Sequence, residues 1–479
     1  MKKIIFLAAL CAFSAVIFSF FSCGSKNDSQ KDAGDAAQTS EMRIVQDAKD
    51  LYIYGFPLVL MHIGEKVMTN VKNPPLNRFE NSSGAAAGAA GAVGSDIFRL
   101  YSWIELGREP LVFELPNMRG RYALFEIFDA WNNLITSAGS RSAGTKKQRY
   151  LLTAPGWSGT VPDGTVQIKV PTEMAFISGI LHVSDYDDKT ELENRFRLVA
   201  LSRIDDESYA LPDVKVDETM DMSEPVLQVF KMDITGYFNL LGALMSENPP
   251  AAADSEFLEK MRYLKIYPDA EFDLSVFDER TQSEFKNIPQ WAKERLTELS
   301  AKKDLSGGWS YFQDKRVYGA DYLGRAVSAF KAIGATSSDN AVSASCVSDA
   351  DGNALNGANK YTVHLDKDSF PQGTVFWNFS VYDSAGKPLE TPYGRKTGIS
   401  DTSISDDTGA KINKDGSVDI YIQSKKPAKE KISNWLFVPD SSDFIAVITF
   451  YLGEGAVAQK NLKLSPVVKI SSDSATDVK

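Results

Sequence analysis

An aromatic and arginine set, with two aspartates, is the part of this sequence best suited to holding a ligand. Arginine offers planar donors for a carboxylate, and tryptophan offers a face on which a sugar or an aromatic ring stacks. An aspartate among them could act as an acid or a base. The candidate ligand-binding residues are Asp96, Tyr101, Trp103, Arg121, Tyr122, Asp129, Trp131 and Arg141, with Trp157 further along the chain.

The same residue types have a structural interpretation. Alternating aromatic residues in strands usually fill a core, and arginine–aspartate pairs often tie turns together. The second half of the chain offers a similar set, and the same two interpretations apply to it. Its members are Arg325, Trp377, Tyr382, Asp383 and Trp435.

Other common chemistries lack their sequence signatures. The three histidines, His62, His182 and His364, are far apart in the sequence, and no His-Glu-x-x-His motif accompanies them. Metal sites favour clustered histidine, cysteine and carboxylate residues, so we predict no metal site. The chain contains no Gly-x-Ser-x-Gly elbow, phosphate loop or dinucleotide glycine pattern. We therefore predict neither a standard serine esterase nor a cofactor.

Short strands and turns must position the candidate residues. Short apolar or alternating segments separated by Gly, Pro and Asp turns are typical of a sandwich or a barrel. In the first half they cover residues 97–106, 111–115, 122–128, 150–153 and 166–170. In the second half the clearest are residues 361–365, 374–382, 417–422 and 444–452.

Helical periodicity appears in two places. Apolar residues recur at spacings of three and four from Ile44 to His62, where Pro57 should bend or end the regular helix. Residues 225–303 contain further helical patterns. The predicted fold class is mainly β with α: two β-sandwich or jelly-roll-like domains joined by a helical connector, with an N-terminal helix.

Domain boundaries follow from these changes in pattern. A chain of 479 residues is too long for one core. We predict an N-terminal β domain at residues 44–210, a helical connector at 211–304 and a C-terminal β-sandwich at 305–479.

The N-terminus resembles a bacterial lipoprotein signal. Lys2 and Lys3 precede an uncharged stretch that ends at Ser22-Cys23-Gly24. This predicts a signal peptide at residues 1–22, lipidation of Cys23 and a flexible tether at residues 23–43. The protein would then be exported and lipid-anchored to the cell envelope, on its periplasmic face or the cell surface. An uncleaved membrane anchor and simple secretion are the alternatives.

The net charge limits the classes of macromolecule that this protein could bind. The net charge of −11 argues against a nucleic-acid partner, because a phosphate backbone binds basic surfaces.

Cys11 lies in the predicted signal and Cys23 at its end, which leaves Cys346 alone in the body of the chain. A single cysteine cannot form an internal disulfide, so burial must hold the fold together.

Motifs in both halves resemble known domain families. The first half resembles the domain of unknown function 1254, through Tyr52-Ile53-Tyr54-Gly55-Phe56-Pro57-Leu58, Tyr101-Ser102-Trp103, Gly120-Arg121-Tyr122, Gly139-Ser140-Arg141 and Ala154-Pro155-Gly156-Trp157. The second half resembles the domain of unknown function 1214, through Tyr318-Gly319, Asp321-Tyr322, Arg325-Ala326, Phe376-Trp377, Val381-Tyr382-Asp383 and Asn434-Trp435-Leu436. The resemblance covers about residues 44–210 and 305–470. It implies two sandwich-like domains joined by helices, and no general activity.

Three functional hypotheses remain open from the sequence. The first is a lipoprotein that binds a small molecule or acts as a scaffold, attached to the membrane through the lipid on Cys23. The second is an exported hydrolase-like enzyme that uses cleft carboxylates and arginine on a small polar or carbohydrate-like substrate. The third is an assembly role, in which sandwich edges pair in a homo-oligomer.

Overall fold

The computed structural model describes most of the chain and divides it into two units. Described are residues 26–81, 97–182, 195–206, 214–268, 270–301, 304–312, 314, 316–387, 389, 392, 398–400, 409–454, 456 and 462–470. The units are residues 1–46 and 47–479. The first holds the beginning of helix α1 (Lys26–Thr69), and the second holds every other helix and strand of the described residues.

Helix α1 is longer than its sequence pattern predicts. It begins at Lys26, inside the segment predicted as a tether, and it does not end at Pro57. Proline in a helix interior removes a backbone hydrogen bond and costs about 3 kcal/mol. Here Tyr54, Phe56 and Leu58 are fully buried around the proline. Burial of each large side chain contributes about 1.5–3 kcal/mol, so tertiary packing offsets the local cost.

The first half of the second unit forms a sandwich of two sheets, here named sandwich 1. Its strands are β1 (Glu80–Asn81), β2 (Ile97–Glu105), β3 (Leu111–Leu115), β4 (Ala123–Asp129), β5 (Leu134–Gly139), β6 (Gln148–Thr153), β7 (Val166–Lys169), β8 (Met174–His182) and β9 (Arg197–Ala200), with the short helix α2 (Ser140–Ala143) after β5. Sheet I has the order β1-β2-β8-β4-β5, and sheet II the order β7-β6-β3-β9. All pairs are antiparallel except β6 and β7, which run parallel.

The core of sandwich 1 follows from strand alternation. Phe98, Leu100 and Ile104 of β2 face the same interior as Phe113 and Leu115 of β3. Side chains two residues apart share one face of a strand, so every second residue enters the core. The intervening residues of sheet I, among them the candidate Tyr101, therefore point to the outer face of that sheet.

A helical connector follows sandwich 1. It contains α3 (Pro225–Lys231), α4 (Ile234–Glu247), α5 (Ser255–Arg262), α6 (Glu279–Lys286) and α7 (Ile288–Ser300). The Asp233 side chain caps α4 by accepting from the Gly236 amide. The α4 residue Leu241 lies against Gly55 of α1, where an added Cβ would come within 2.4 Å of Leu241 Cδ2. Glycine thus permits the close approach of these two helices.

The second half forms sandwich 2. Its elements are β10 (Asp304–Ser306), β11 (Trp309–Phe312), α8 (Tyr322–Lys331), β12 (Ala341–Cys346), β13 (Tyr361–Leu365), β14 (Thr374–Asp383), β15 (Gly398–Ser400), β16 (Val418–Gln423), β17 (Trp435–Phe437), β18 (Phe444–Leu452) and β19 (Val468–Lys469). Sheet III has the order β10-β11-β12-β18-β14-β15, and sheet IV the order β17-β16-β13-β19. Trp309, Trp377 and Phe379 fill the core between them, and Cys346 is buried there.

The predicted fold class is confirmed. The chain combines several sheets with helices, including an N-terminal helix and helices between the two sandwiches. Strands 361–365, 444–452 and 111–115 have the bounds that the sequence predicts. None of the helices that the structure describes is both long and apolar enough to cross a bilayer.

Candidate functional site

The candidate residues from the sequence do not form one cleft. Asp96 lies outside the described residues. Trp103 is fully buried, and it packs with Met61, Phe128 and Phe176 in an apolar cluster. Its neighbour Tyr101 lies on the outer face of sheet I and is half-buried. Trp103 therefore serves packing, and the other candidates divide between the two ends of sheet I.

The outer face of sheet I packs against sandwich 2, and we call this contact the seam. Its apolar part joins Leu124 and Ile180 of sheet I to Phe376 and Tyr451 of sheet III. The candidate Tyr122 is 5% exposed there, and its ring meets Phe376 edge-on at 5.1 Å between centroids. The two sandwiches thus share a buried surface within residues 47–479.

A carboxylate that the sequence analysis missed lies at the centre of the seam. Glu126 of β4 is directly opposite Ser178 of β8, which is itself opposite Tyr101 of β2. The Glu126 side chain is buried, and its Oε1 accepts from Asn340 Nδ2 at 2.6 Å and from the Ser337 amide at 3.0 Å. Sandwich 2 therefore supplies both of these donors to a carboxylate on sandwich 1.

Burial makes the Glu126 carboxyl a weaker acid than an exposed glutamate. It raises the pKa of this carboxyl from 4.5 to about 7, although the Asn340 and Ser337 hydrogen bonds and the charges of Arg316 and Arg99 act in the opposite direction. A buried carboxylate loses its hydration, and only part of the loss is recovered from neighbours. Glu126 can therefore take up or release a proton near neutral pH.

Arg141 joins the same network from the short helix α2. Its Nη1 donates to Asn340 Oδ1 at 2.7 Å, so one asparagine links Arg141 to Glu126. Gly139 places α2 there with a φ of +107°, and a Cβ at that position would lie 2.3 Å from the Ala123 carbonyl oxygen. Only glycine fits this turn without displacing β4.

Asp129 and Trp131 lie at the other end of β4. Asp129 accepts hydrogen bonds from the Trp131 amide, the Asn133 amide and Asn133 Nδ2, each at 2.9 Å. Burial raises the pKa of Asp129 despite these bonds. Trp131 Nε1 donates to the Asn248 carbonyl at 3.2 Å. Both side chains hold the turn after β4 and its contact with the connector.

Arg325 of α8 occupies an aromatic cage beside Asp129. Its guanidinium carbon lies 5.2 Å from the Tyr54 ring, 5.1 Å from the Trp131 ring and 5.5 Å from the Tyr322 ring. Both tyrosine hydroxyls donate to Asp254, at 2.9 and 2.8 Å. Such a cage stabilises a buried cation through the ring faces. The cage unites helix α1, sandwich 1, the connector and α8.

Four further candidates have structural contacts of their own. Arg121 is half-buried before β4, where its carbonyl oxygen accepts from Ser140 Oγ. Asp383 Oδ1 accepts from the Ala385 and Lys387 amides at 2.9 and 2.8 Å, so it holds a turn. Of the second-half set, Trp377 lies in the core of sandwich 2 and Trp435 Nε1 donates to the Gln423 carbonyl.

A cavity of about 350 Å³ lies at one edge of sandwich 1, between the end of β2 and strands β3 and β9. We call it the Arg78 cavity. Its apolar lining consists of Pro74, Leu76, Leu111, Leu198, Ala200 and Val214, and its polar lining of Asn77, Arg78, Glu105, Arg108 and Glu109. The size is at the lower end of small-molecule sites.

Arg78 gives this cavity a charged group without a complete set of partners. Arg78 Nη2 is buried and has no hydrogen-bond partner in the part of the chain that the structure describes. A buried donor left without a partner costs about 1–3 kcal/mol, so proteins rarely retain one without a use for it.

The geometry offers no metal site among the described residues, where no group of three or more histidine, cysteine or carboxylate side chains could hold an ion. His182 stacks on Phe376 at 4.7 Å in the seam. His364 is exposed, with Asp419 Oδ1 2.7 Å from its Nδ1, and these contacts raise its pKa. The histidines therefore serve packing and surface pairing.

Comparison with known families agrees with this architecture. The family model described as a protein of unknown function (DUF1254) matches residues 76–200, and the corresponding DUF1214 model matches residues 340–454. The chain carries a DUF1254 domain followed by a DUF1214 domain. The two matches fall within sandwich 1 and sandwich 2. A search of curated proteins finds no match.

Two solved structures match this chain over most of its length. The VPA0106 protein from Vibrio parahaemolyticus is 19% identical, with a TM-score of 0.68 over 89% of this chain and 100% of that one. An uncharacterized protein from Burkholderia cenocepacia is 11% identical, with a TM-score of 0.41 over 90% of this chain and 96% of that one. The likeness to the Vibrio protein shows that both chains share a fold.

Two features of the DUF1254 domain escaped the sequence analysis. Glu126 stands in the strand Ala123–Asp129, whose residues are all buried, and a carboxylate flanked by apolar residues in the middle of such a strand is a usable signal. Arg78 follows Asn77 in a short segment after α1, and nothing in its neighbourhood distinguishes it from a surface arginine. Only the folded chain brings Arg78 to the same cavity as the end of β2 and residues of β3 and β9.

Proposed function

We propose that this protein is a lipid-anchored envelope protein that binds a small molecule in the Arg78 cavity. The observation that carries the proposal is a cavity of about 350 Å³ whose wall combines six apolar residues with Asn77 and four charged side chains, Arg78 among them. A cavity that combines apolar walls with polar groups at a few positions is a common form of small-molecule site.

The hydrolase hypothesis has weaker support. Asp129 already accepts three hydrogen bonds from its own turn, which leaves it poorly placed to activate water. Glu126 has a pKa suited to proton transfer, but it is buried in the seam and bound by Asn340 and Ser337. General acid–base catalysis needs a group within reach of a substrate. Binding therefore accounts better for the cavity than catalysis accounts for these carboxylates.

The lipid anchor is supported by the sequence. Lys2 and Lys3, the uncharged stretch up to Ser22 and the following Cys23 form the pattern of a lipoprotein signal. These residues lie outside the described part of the chain. A single lipid chain gives only marginal membrane binding, whereas the diacylglycerol and acyl chains of a bacterial lipoprotein give stable attachment.

Filling the Arg78 cavity should abolish ligand binding. Ala200 lies on the cavity wall in β9, so Ala200→Trp would occupy the space with an indole. We expect fragments from a library of small neutral and charged molecules to give ligand-observed NMR signals with the wild-type protein and to lose them, by at least tenfold in affinity, with Ala200→Trp.

Lys169→Trp is the matched control, because it adds the same indole at an exposed position of β7 in the same sheet. It should retain fragment binding, and both variants should keep the wild-type circular dichroism spectrum. The proposal would be wrong if no fragment distinguished Ala200→Trp from Lys169→Trp.

Replacement of Cys23 tests the anchor. Cys23→Ala removes the thiol that would carry the lipid, so we expect loss of labelling by an alkyne fatty acid and release of the protein from washed membranes. Cys11→Ala, within the predicted signal, should leave labelling unchanged. Continued labelling of Cys23→Ala would refute lipidation at this residue.

A further inference from the structure

We infer that sandwich 2 docks on an anionic lipid surface through six exposed lysines around strands β16 and β17, at one edge of sheet IV. We call this surface the lysine patch, and its members are Lys411, Lys414, Lys425, Lys426, Lys429 and Lys431. The inference goes beyond the proposed function, because the patch is not on the sandwich that holds the Arg78 cavity and needs no lipid at Cys23. It follows from the position, the charge and the neighbours of these lysines.

The fold brings the two segments that carry the lysines together. Residues 424–434 connect β16 to β17, which lie side by side and run parallel. Before β16, the Lys411 amide donates to Asn434 Oδ1 at 2.6 Å, and Asn434 Nδ2 donates to the Lys411 carbonyl at 2.8 Å. Asn434 is buried, so this reciprocal pair fixes the segment with Lys411 and Lys414 beside the connection that carries the other four lysines.

The patch keeps a local excess of positive charge. In the part of the chain that the structure describes, no carboxylate forms an ion pair with any of the six lysines. Residues 411–431 contain three carboxylates, and two of them have other partners. Asp415 accepts a hydrogen bond within its own turn, and Asp419 Oδ1 lies 2.7 Å from His364 Nδ1. The third carboxylate, Glu430, is exposed to solvent.

The distribution of charge favours one orientation on an anionic surface. Clusters of four to eight basic residues are typical of proteins that bind anionic lipids, and the attraction acts over about one Debye length, roughly 8 Å at physiological salt. The chain as a whole carries a net charge of −11 in spite of the patch. An anionic surface therefore attracts the patch and repels the remainder, so the edge of sheet IV with β17 should face the lipid.

The apolar neighbours of the patch favour lipid over a sugar polymer or a nucleic acid. Such polymers are usually held by stacking on open aromatic faces. Here the Lys431 ammonium lies over the Tyr421 ring, 4.9 Å from its centroid, and Trp435 is 4% exposed. Ile412, in contrast, is 50% exposed beside Lys411. An apolar side chain next to lysines matches the boundary between lipid headgroups and acyl chains.

Vesicle binding tests the inference on the full chain with Cys23→Ala, so that no attached lipid contributes. The vesicles are phosphatidylcholine alone, or phosphatidylcholine with about one third phosphatidylglycerol. We expect binding at least tenfold tighter to the anionic vesicles at low ionic strength, and loss of most of this preference at high salt, which screens the charges. The combined variant Lys425→Gln, Lys426→Gln, Lys429→Gln and Lys431→Gln should bind both kinds of vesicle within threefold of each other.

The matched control removes the same charge from four other exposed positions of the chain. It combines Lys169→Gln, Lys260→Gln, Lys286→Gln and Lys293→Gln. Its preference for anionic vesicles should stay within threefold of that of the unsubstituted chain. Lysine acetylation read by mass spectrometry gives a second measurement, which still decides if the apolar N-terminus binds every vesicle. The patch lysines should be protected on anionic vesicles only, whereas Lys169 and Lys293 should react equally on both.

Three results would overturn the inference. The first is equal reactivity of the patch lysines on neutral and anionic vesicles. The second is a control variant that loses the preference for anionic vesicles as fully as the patch variant. The third is a soluble acidic polysaccharide or single-stranded DNA that binds the patch while anionic vesicles do not. None of them affects fragment binding or its loss in Ala200→Trp, so the proposed cavity function is decided separately.

Discussion

Arg325→Ala should lower the free energy of unfolding by about 3–5 kcal/mol, the range expected when one partner of a buried charge cluster is removed. The variant would leave a space between the Tyr54, Trp131 and Tyr322 rings and remove a positive charge that favours ionised Asp129. Equilibrium urea unfolding followed by tryptophan fluorescence measures the change.

Lys293→Ala is the control for Arg325, because Lys293 is an exposed cation on helix α7. Substitutions of this kind usually change stability by less than about 0.5 kcal/mol. Arg325→Lys should fall between wild type and Arg325→Ala, since an ammonium keeps the charge but loses the planar contact with the rings. A loss for Arg325→Ala no larger than that for Lys293→Ala would contradict the role of the cage.

Glu126→Gln should stabilise the protein above neutral pH. The pKa of Glu126 is about 7 in the folded protein and near 4.5 in the unfolded chain, so only the folded state holds this proton between those values. The contribution of Glu126 to stability is complete below pH 4.5 and falls as the pH rises to 7. At 1.36 kcal/mol per pKa unit the loss is at most about 3 kcal/mol. Glutamine stays neutral, and its Oε1 can accept from both Asn340 and Ser337.

The measurement compares unfolding free energies of wild type and Glu126→Gln from pH 4.5 to 8. We expect near equality at the acidic end and an advantage of about 1–3 kcal/mol for the variant at pH 8. Glu114→Gln is the control with the opposite sign. Burial acts to raise the pKa of Glu114, but the hydrogen bond and charge of Arg149 lower it overall. Glu114→Gln should therefore cost most at neutral pH, and a flat difference for Glu126→Gln would exclude the proposed titration.

Local patterns predict nine of the nineteen strands that the structure describes, because they record which face of a strand is buried. Phe444–Leu452 alternates in burial along nearly its whole length, and its bounds are those expected from the sequence. Helix α1 differs in one respect, since it continues past Pro57, where a helix could have ended. Burial of Tyr54 and Phe56 by residues distant in sequence offsets the cost of the proline.

The candidate site was less predictable because its parts are distant in sequence. Arg141 meets Asn340 across 199 residues, and Glu126 meets the same asparagine across 214. Tyr101, Tyr122 and Arg141 were selected by residue type and do reach the outer face of sheet I or its rim. The Arg78 cavity had no signal of this kind, because its walls come from four separated stretches of the chain.

The seam also limits whether the two sandwiches can be produced as separate proteins. Leu124 and Ile180 of one sandwich cover Phe376 and Tyr451 of the other. A protein fragment that contains only one sandwich would therefore expose an apolar surface to water. Such faces promote aggregation. The two domains therefore depend on each other for a covered surface in this chain, and neither is expected to stay soluble without the other.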